Sequence, residues 1–427
     1  MDIATPWTDD LARALEHEAG AARAAVRSLR DDAVADALRS ASALLAERRG
    51  TVLAANEADV AGAAGKLDEG ALDRLALDSA RLAAIGEQLE IMASLPPLDR
   101  ELESWRLDNG LEVSVRRIPV GVVGANFEAR PGVAVDVASQ LLKSLNAAVI
   151  RTGGAALRTV TALVDGVLRP GLEAAGLPPG AVGLVRTPAR EGALELVSLP
   201  KLIPLVILRG SGETTAALAR LAAENGVRTL AHAEGGGVLY VDPGADPAKT
   251  DALVEASLDR LGVCNRLNLL LVDRAAADAV PRLAALVRRL GVEPRGTERA
   301  RAHAELEPLD VRLGHEWAND PARVASVTVD VVDDLDEAVE LANTETSGLA
   351  AGIVTEDEDA ARRFLDGYRG TTAFWHAPTR FTDGFALTGA PETGINVDWA
   401  PGPRGPVTYR DLWLRQLRVV GDATQHR

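Results

Sequence analysis

Apolar residues recur every three to four positions from Thr8 to about Ala93, as in Val34-Ala35-Asp36-Ala37-Leu38-Arg39 and Leu45-Ala46-Glu47-Arg48-Arg49. That period predicts three or four amphipathic helices, closed by Pro96 and Pro97. The period then changes to two. Trp105 to Val115 alternate on either side of Asn109-Gly110, the pattern of a β-hairpin. Between a helical block and an α/β region such a hairpin is either an arm that packs on a neighbouring subunit or a simple edge hairpin.

Short continuous apolar runs follow at Ile118 to Gly124, Ala147 to Arg151, Val182 to Val185 and Leu205 to Leu208. They read as buried strands. Helices are predicted from about Val135 to Leu145, from beyond Gly154 to about Ala175, and after Gly212. Strands alternating with helices predict right-handed βαβ units and a parallel sheet, so the fold class is α/β. Ligands bind such sheets beyond the carboxyl ends of the strands. Those ends are Ala125-Asn126-Phe127-Glu128-Ala129-Arg130-Pro131-Gly132, Thr152-Gly153-Gly154 and Arg209-Gly210-Ser211-Gly212. None is Gly-x-Gly-x-x-Gly. A glycine turn that opens a helix still presents free N–H groups to phosphate, although it serves equally as a tight turn. A second unit is predicted after Thr229 to Gly237, with strand Val238 to Val241, a helix from Pro247 to about Leu261 and the apolar run Leu267 to Val272. Strands at Ala325 to Val329 and Gly352 to Val354 flank a helix starting near Asp334. Past the Gly/Pro-rich stretch from Gly389 to Pro406, Trp413 to Val420 alternate like a strand.

Composition narrows the functional classes. A chain of 427 residues with 47% apolar positions suits two or three domains with sizeable cores. The formal charge of −16 argues against nucleic acid or an anionic membrane as partner, while a few placed arginines still suffice for a small anion. No apolar stretch approaches the ~18 residues needed to span a bilayer. The N-terminus carries Asp2, Asp9 and Asp10 and lacks the basic-then-apolar pattern of a secretory signal, so a cytoplasmic protein is expected. The histidines, His17, His232, His303, His315, His376 and His426, form no His-Glu-x-x-His pair, and no metal site is expected. A single cysteine excludes an intrachain disulfide and any cysteine-based metal cluster.

That cysteine, Cys264, sits in Arg260-Leu261-Gly262-Val263-Cys264-Asn265-Arg266 between a predicted helix and a strand. A thiolate attacks an activated acyl group far better than a hydroxyl does, and a thioester can receive hydride from a neighbouring nicotinamide. On its own the residue reads first as a small buried apolar side chain.

Several strings resemble the γ-glutamyl phosphate reductase (glutamate-5-semialdehyde dehydrogenase) family of the aldehyde dehydrogenase superfamily. They are Ile118-Pro119-Val120-Gly121-Val122-Val123-Gly124 with Glu128-Ala129-Arg130-Pro131, Leu142-Lys143-Ser144 with Asn146, Leu208-Arg209-Gly210, Val263-Cys264-Asn265, Ile353-Val354-Thr355-Glu356-Asp357 and Thr379-Arg380-Phe381-Thr382-Asp383-Gly384. They occur in the family's order, and the resemblance covers most of the chain. The resemblance implies a Rossmann-type cofactor-binding domain (1–103 and 118–230), an α/β catalytic domain (231–388) and a small β oligomerisation element (104–117 with 389–427). It also implies NADPH as reductant, a homodimer or homotetramer, and a role in proline biosynthesis. Cys264 becomes the acyl acceptor, displacing phosphate from a mixed anhydride. A free thiol of pKa ~8.5 is only slightly ionised at neutral pH, so the loop must favour the thiolate.

The Cys264 backbone N–H and the Asn126 side chain are candidate oxyanion donors; Asn126 is also a plausible turn former. Arg130 and Arg380 are candidates for binding the anionic substrate, with Asn265 beside the thiol. Ser144, Asn146, Arg151, Gly153, Arg209, Gly210 and Gly212 are the candidates for the cofactor. A general base is not required, because the acyl-enzyme must meet hydride and not water; His232 and Glu234 stand where an aldehyde-oxidising relative would carry one.

The match departs from the family at Gly132, where Asn is usual, and at Leu349-Ala350-Ala351, where the family has His, a hydroxyl residue and Glu. It departs again at Gly389-Ala390-Pro391-Glu392-Thr393-Gly394-Ile395-Asn396, at His315 to Asp320, and at Ser211. Loss of polar groups from a substrate pocket weakens discrimination. A paralogue acting on another acyl phosphate or thioester is therefore an alternative, and a non-catalytic protein on the same fold is a third reading.

Overall fold

The computed structural model describes residues 9–67, 69–210, 212–232, 235–320, 324–399 and 402–425, with the side chains of Asp9, His232 and Asn319 excepted. The chain divides into two compact units. One comprises Met1–Ala233, Ala390–Gly394 and Val407–Arg427, the other Glu234–Gly389 and Ile395–Pro406.

The first unit opens with five helices, α1 (Asp9–Ala25), α2 (Asp31–Glu47), α3 (Arg49–Ala63), α4 (Glu69–Leu75) and α5 (Ser79–Ser94). Val34, Leu38, Ala41 and Leu45 form the buried stripe of α2, with the spacing expected of a helix that buries one face. Asp78 caps α5, accepting a hydrogen bond from the Arg81 N–H at 2.7 Å, a type of cap that stabilises by about 1 kcal/mol. The hairpin follows as β1 (Glu101–Arg106) and β2 (Glu112–Pro119), with Gly110 at positive φ in the turn.

The apolar run from Ile118 to Gly124 is not one strand. The chain turns at Gly121, whose φ of 114° suits only glycine, and β3 (Val122–Phe127) starts afresh. Helix α6 (Gly132–Lys143), β4 (Ala147–Thr152), β5 (Val182–Leu184), β6 (Leu205–Arg209) and β7 (Arg228–His232) complete a five-stranded parallel sheet of order β5-β4-β3-β6-β7. β3 and β4 are buried along their whole length, which is why they read as unbroken apolar runs. β7 escapes sequence reading because Arg228, Thr229 and His232 interrupt its apolar residues.

The second unit holds β8 (Gly237–Val241), β9 (Leu267–Asp273), β10 (Glu293–Gly296), β11 (Glu307–Pro308), β12 (Ser326–Val332), β13 (Ala350–Val354) and β14 (Thr372–Trp375). They form a parallel sheet ordered β11-β10-β12-β9-β8-β13-β14. A short ladder pairs β15 (Gly394–Asn396) with β16 (Gly405–Val407), and β17 (Trp413–Val420) pairs antiparallel with β2, giving a three-stranded β1-β2-β17 sheet. Among the described residues no helix is long and apolar enough to cross a membrane, and no cluster of three or more His, Cys, Asp or Glu could hold a metal ion.

Candidate active site

Cys264 is half-buried, on the loop between the helix Pro247–Ser257 and β9. Three other stretches meet it at the amino-terminal edge of the second sheet. Gly235 lies two residues before β8, Leu349 one before β13, and Glu316 precedes β12. A rule that looks only to carboxyl ends of strands misses this edge.

The loop is held from both sides. Thr379 donates its hydroxyl to the Asn265 carbonyl at 2.8 Å, and the Asn265 amide donates to the carbonyls of Arg380 and Thr382 at 3.1 and 3.0 Å. The Arg380 guanidinium donates to Asp259 Oδ1 at 2.6 Å and to Asn265 Oδ1. Arg380 and Asn265, both expected to bind substrate, lie together here, and these hydrogen bonds fasten the thiol loop to residues 379–382. Arg266, one of the largest fully buried side chains, anchors the loop's other end by donating to the carbonyls of Leu267 and Ser326. Burial pushes its guanidinium down to about 10.

Close approach explains the glycines. A Cβ on Gly235 would lie 2.6 Å from both Cys264 Cβ and the Cys264 carbonyl oxygen, and 2.7 Å from Glu316 Oε1. Cys264 and the Glu316 carboxylate therefore flank one glycine. Asn268 holds the Glu316 segment in place, donating to the His315 carbonyl and accepting from the Trp317 N–H at 3.0 Å. His315 bonds Asp320 at 2.7 Å. Glu316 is a buried residue beside the thiol that sequence reading did not single out. The contact depends on a pairing of residues 52 positions apart. Leu349 and Ala350 are fully buried in an apolar cluster with Phe374 and Ile395, against which Cys264, Ala377 and Val397 pack. The departures from the family's polar string thus make the thiol's own surroundings apolar. Gly235→Ala should displace the thiol loop and lower the rate of Cys264 alkylation and turnover by about 10²-fold or more, read by mass spectrometry and steady-state assay.

In the first unit, Arg151 on β4 donates to Asn126 Oδ1 at 3.1 Å and to the Ala189 carbonyl at 3.0 Å, while its Nε is buried without a partner. Burial lowers its pKa, offset by Glu128 and Glu191. Asn126 is buried on β3 and not in a turn, and it lies in a different unit from Cys264. Arg209, at the end of β6, faces Asp136 at 3.6 Å. β3 lies between β4 and β6, so Gly153 and Gly210 extend the carboxyl ends of the strands on either side of it, and Gly212 starts the helix Gly212–Glu224.

Ser144 and Asn146 do not belong to this set. Both are buried at the other edge, before β4 begins. Ser144 donates to the carbonyls of Gln140 and Leu141. Asn146 accepts from the Gly121 N–H at 2.9 Å and donates to Ser144 Oγ and the Leu412 carbonyl, each at 2.8 Å. Their polar atoms face other parts of the protein. Arg130 is exposed just ahead of α6. The His232 side chain and Glu234 lie outside the described residues.

Residues 7–302 and 324–402 match the aldehyde dehydrogenase family. The structure is similar to a γ-glutamyl phosphate reductase from Thermotoga maritima, with a TM-score of 0.90 and 29% identity over 97% of this chain and all of that one. A γ-glutamyl phosphate reductase from Saccharomyces cerevisiae matches at a TM-score of 0.50 and 23% identity over 99% of this chain and 100% of that one. An acetylating aldehyde dehydrogenase from Geobacillus thermoglucosidasius matches at 0.66 and 16% over 98% of each chain. With a single thiol presented on a clamped loop and a family match over most of its length, the chain belongs to the aldehyde dehydrogenase family and is an oxidoreductase that acts on aldehydes.

Proposed function

We propose that the protein reduces γ-glutamyl phosphate to glutamate 5-semialdehyde and phosphate, with NADPH as reductant and Cys264 as acyl acceptor, the reductive step of proline formation. The observation that carries this reading is the whole-length similarity to the Thermotoga maritima enzyme. The first unit is the proposed cofactor domain, the second the catalytic domain.

A nicotinamide dinucleotide suits the donors at the carboxyl ends of β4 and β6. The buried, unpartnered Nε of Arg151 is an N–H aimed at no protein group. A Cβ on Gly153 would meet nothing nearer than Glu128 Cγ at 3.9 Å, so backbone approach there is open. Arg151, Gly153, Arg209, Gly210 and Gly212 would hold the phosphates, by guanidinium charge and by backbone N–H groups at the helix start. When bound, the cofactor supplies the hydride that takes the thioester to the aldehyde level.

Cys264 does the remaining covalent work. Its thiolate adds to the acyl carbon, the bond from that carbon to the phosphate oxygen breaks, and phosphate departs with the electron pair. The Cys264 N–H would steady the oxyanion. After reduction the same carbon–sulfur bond breaks, the thiolate leaves and it regains a proton. The clamp formed by Asn265, Thr379 and Arg380 keeps the sulfur in one position through both steps. The test is the reverse reaction with glutamate semialdehyde, NADP⁺ and phosphate; absence of turnover by folded protein would remove the assignment.

The apolar wall of Leu349 and Ala350 beside Cys264 favours a second reading, in which the acyl group is a different one. Faster turnover of another aldehyde in a panel run with phosphate would select it.

The homo-oligomer is proposed to form through the β1-β2-β17 sheet, which exposes Leu102, Trp105, Leu414, Leu417 and Val419. Exposed apolar patches of this kind mark interaction surfaces. The double variant Leu417→Glu, Val419→Glu should sediment as a monomer while wild type does not, with Cys264 alkylation unchanged.

A further inference from the structure

We infer that Arg369, Arg404 and Trp399 form an oxyanion site in the second unit, which takes a carboxylate at the far end of the acyl substrate. The Arg404 guanidinium lies 4.6 Å from the centre of the Trp399 ring system and that of Arg369 lies 6.0 Å from it. Arg404 donates to the carbonyls of Arg369 at 2.6 Å and Val397 at 3.5 Å, and its Nε is buried without a partner. Among the described residues neither arginine has a carboxylate within ion-pair distance. That is unusual company in a chain with 62 acidic and 46 basic residues. Two guanidinium groups converging on one indole repel each other, and an anion between them relieves that repulsion. Arginine's planar donor fork suits a carboxylate, and the indole, 57% exposed, offers an apolar face for the carbons that carry it.

The position joins this site to the thiol. A Cβ on Gly348 would be 3.7 Å from Trp399 Cζ2 and 4.0 Å from Arg404 Nη2. On one side of Gly348, Ser347 donates to the Gly235 carbonyl at 3.1 Å, and Gly235 touches Cys264. On the other, Leu349 belongs with Val397 to the apolar cluster around Cys264. One loop therefore borders both the nucleophile and the cationic pair. An apolar wall separates them, which suits an acyl chain whose reactive carbon and carboxylate stand several bonds apart. This assignment rests on Cys264 as the acyl acceptor, but its binding test does not need turnover.

Tryptophan fluorescence of the full-length protein is titrated with glutarate, with neutral glutaramide and with inorganic phosphate. Glutarate should give a saturable change that salt weakens and that disappears in Trp399→Phe. Arg369→Gln, on an exposed side chain whose loss leaves the core intact, should weaken binding by about 10- to 100-fold. Arg404→Gln should do the same. In the reverse assay both substitutions should raise KM for glutamate semialdehyde while leaving kcat/KM for propanal unchanged. Equal binding of glutaramide, saturation by phosphate with none by glutarate, or unaltered glutarate binding in Arg369→Gln overturns the site. Glutarate binding without turnover of glutamate semialdehyde would keep the site and remove only the assigned reaction.

Discussion

Cys264→Ala abolishes turnover, by on the order of 10⁴-fold or more, and leaves no thiol for iodoacetamide to label. The fold should survive. The side chain is half-buried at the rim of an apolar cluster, and alanine there removes one sulfur and little volume. The loop is held by Asn265, Thr379 and Arg380, whose hydrogen bonds do not pass through the sulfur. The effect therefore falls on kcat, with NADPH affinity and thermal unfolding close to wild type. Residual activity within tenfold of wild type would mean that the chemistry does not pass through this thiol. Because Cys264 is the sole cysteine, label incorporation counts reactive sites with no background from other thiols.

Asn146→Ala should produce the largest stability loss, about 3 kcal/mol or more. The side chain joins the Gly121 turn, the end of α6 and the carbonyl of Leu412 in one buried set of hydrogen bonds. Alanine removes every one of these bonds and leaves the Gly121 N–H and the Leu412 carbonyl without their partner. Urea titration should show an earlier transition of the first unit. An unchanged midpoint together with a raised KM for NADPH would return Asn146 to the cofactor site.

The contrast between these residues shows what the sequence could and could not reveal. The parallel sheets were legible because β3, β4, β8 and β9 are buried along their whole length, so apolar residues dominate them. The Asn-Gly hairpin was legible because its turn demands glycine at positive φ. Cys264 stood out by rarity and chemistry. Roles that depend on where a side chain spends its hydrogen bonds were not legible. Asn146 and Arg151 are both cofactor candidates by sequence, yet one bonds to other parts of the protein and the other leaves an N–H unpartnered. Nothing in the sequence places Asp259 and Asn265 beside Arg380. Glu316, Arg369 and Arg404 were missed because each takes its meaning from neighbours distant in sequence.

Asn146 also bears on how the protein is made. Its partner carbonyl belongs to Leu412, 266 positions later, and Ala390, Val407, Tyr409 and Leu412 share a core with helices formed by the first hundred residues. β17 supplies one edge of the hairpin's sheet. The unit that starts the chain thus cannot close until nearly all of it has left the ribosome, whereas residues 234–389 of the second unit form a single continuous stretch. Closing contacts over such separations is slow. The N-terminal helices must wait, incompletely covered, through the synthesis of the catalytic unit, and nascent chains stopped short of residue 407 would expose that core to chaperones.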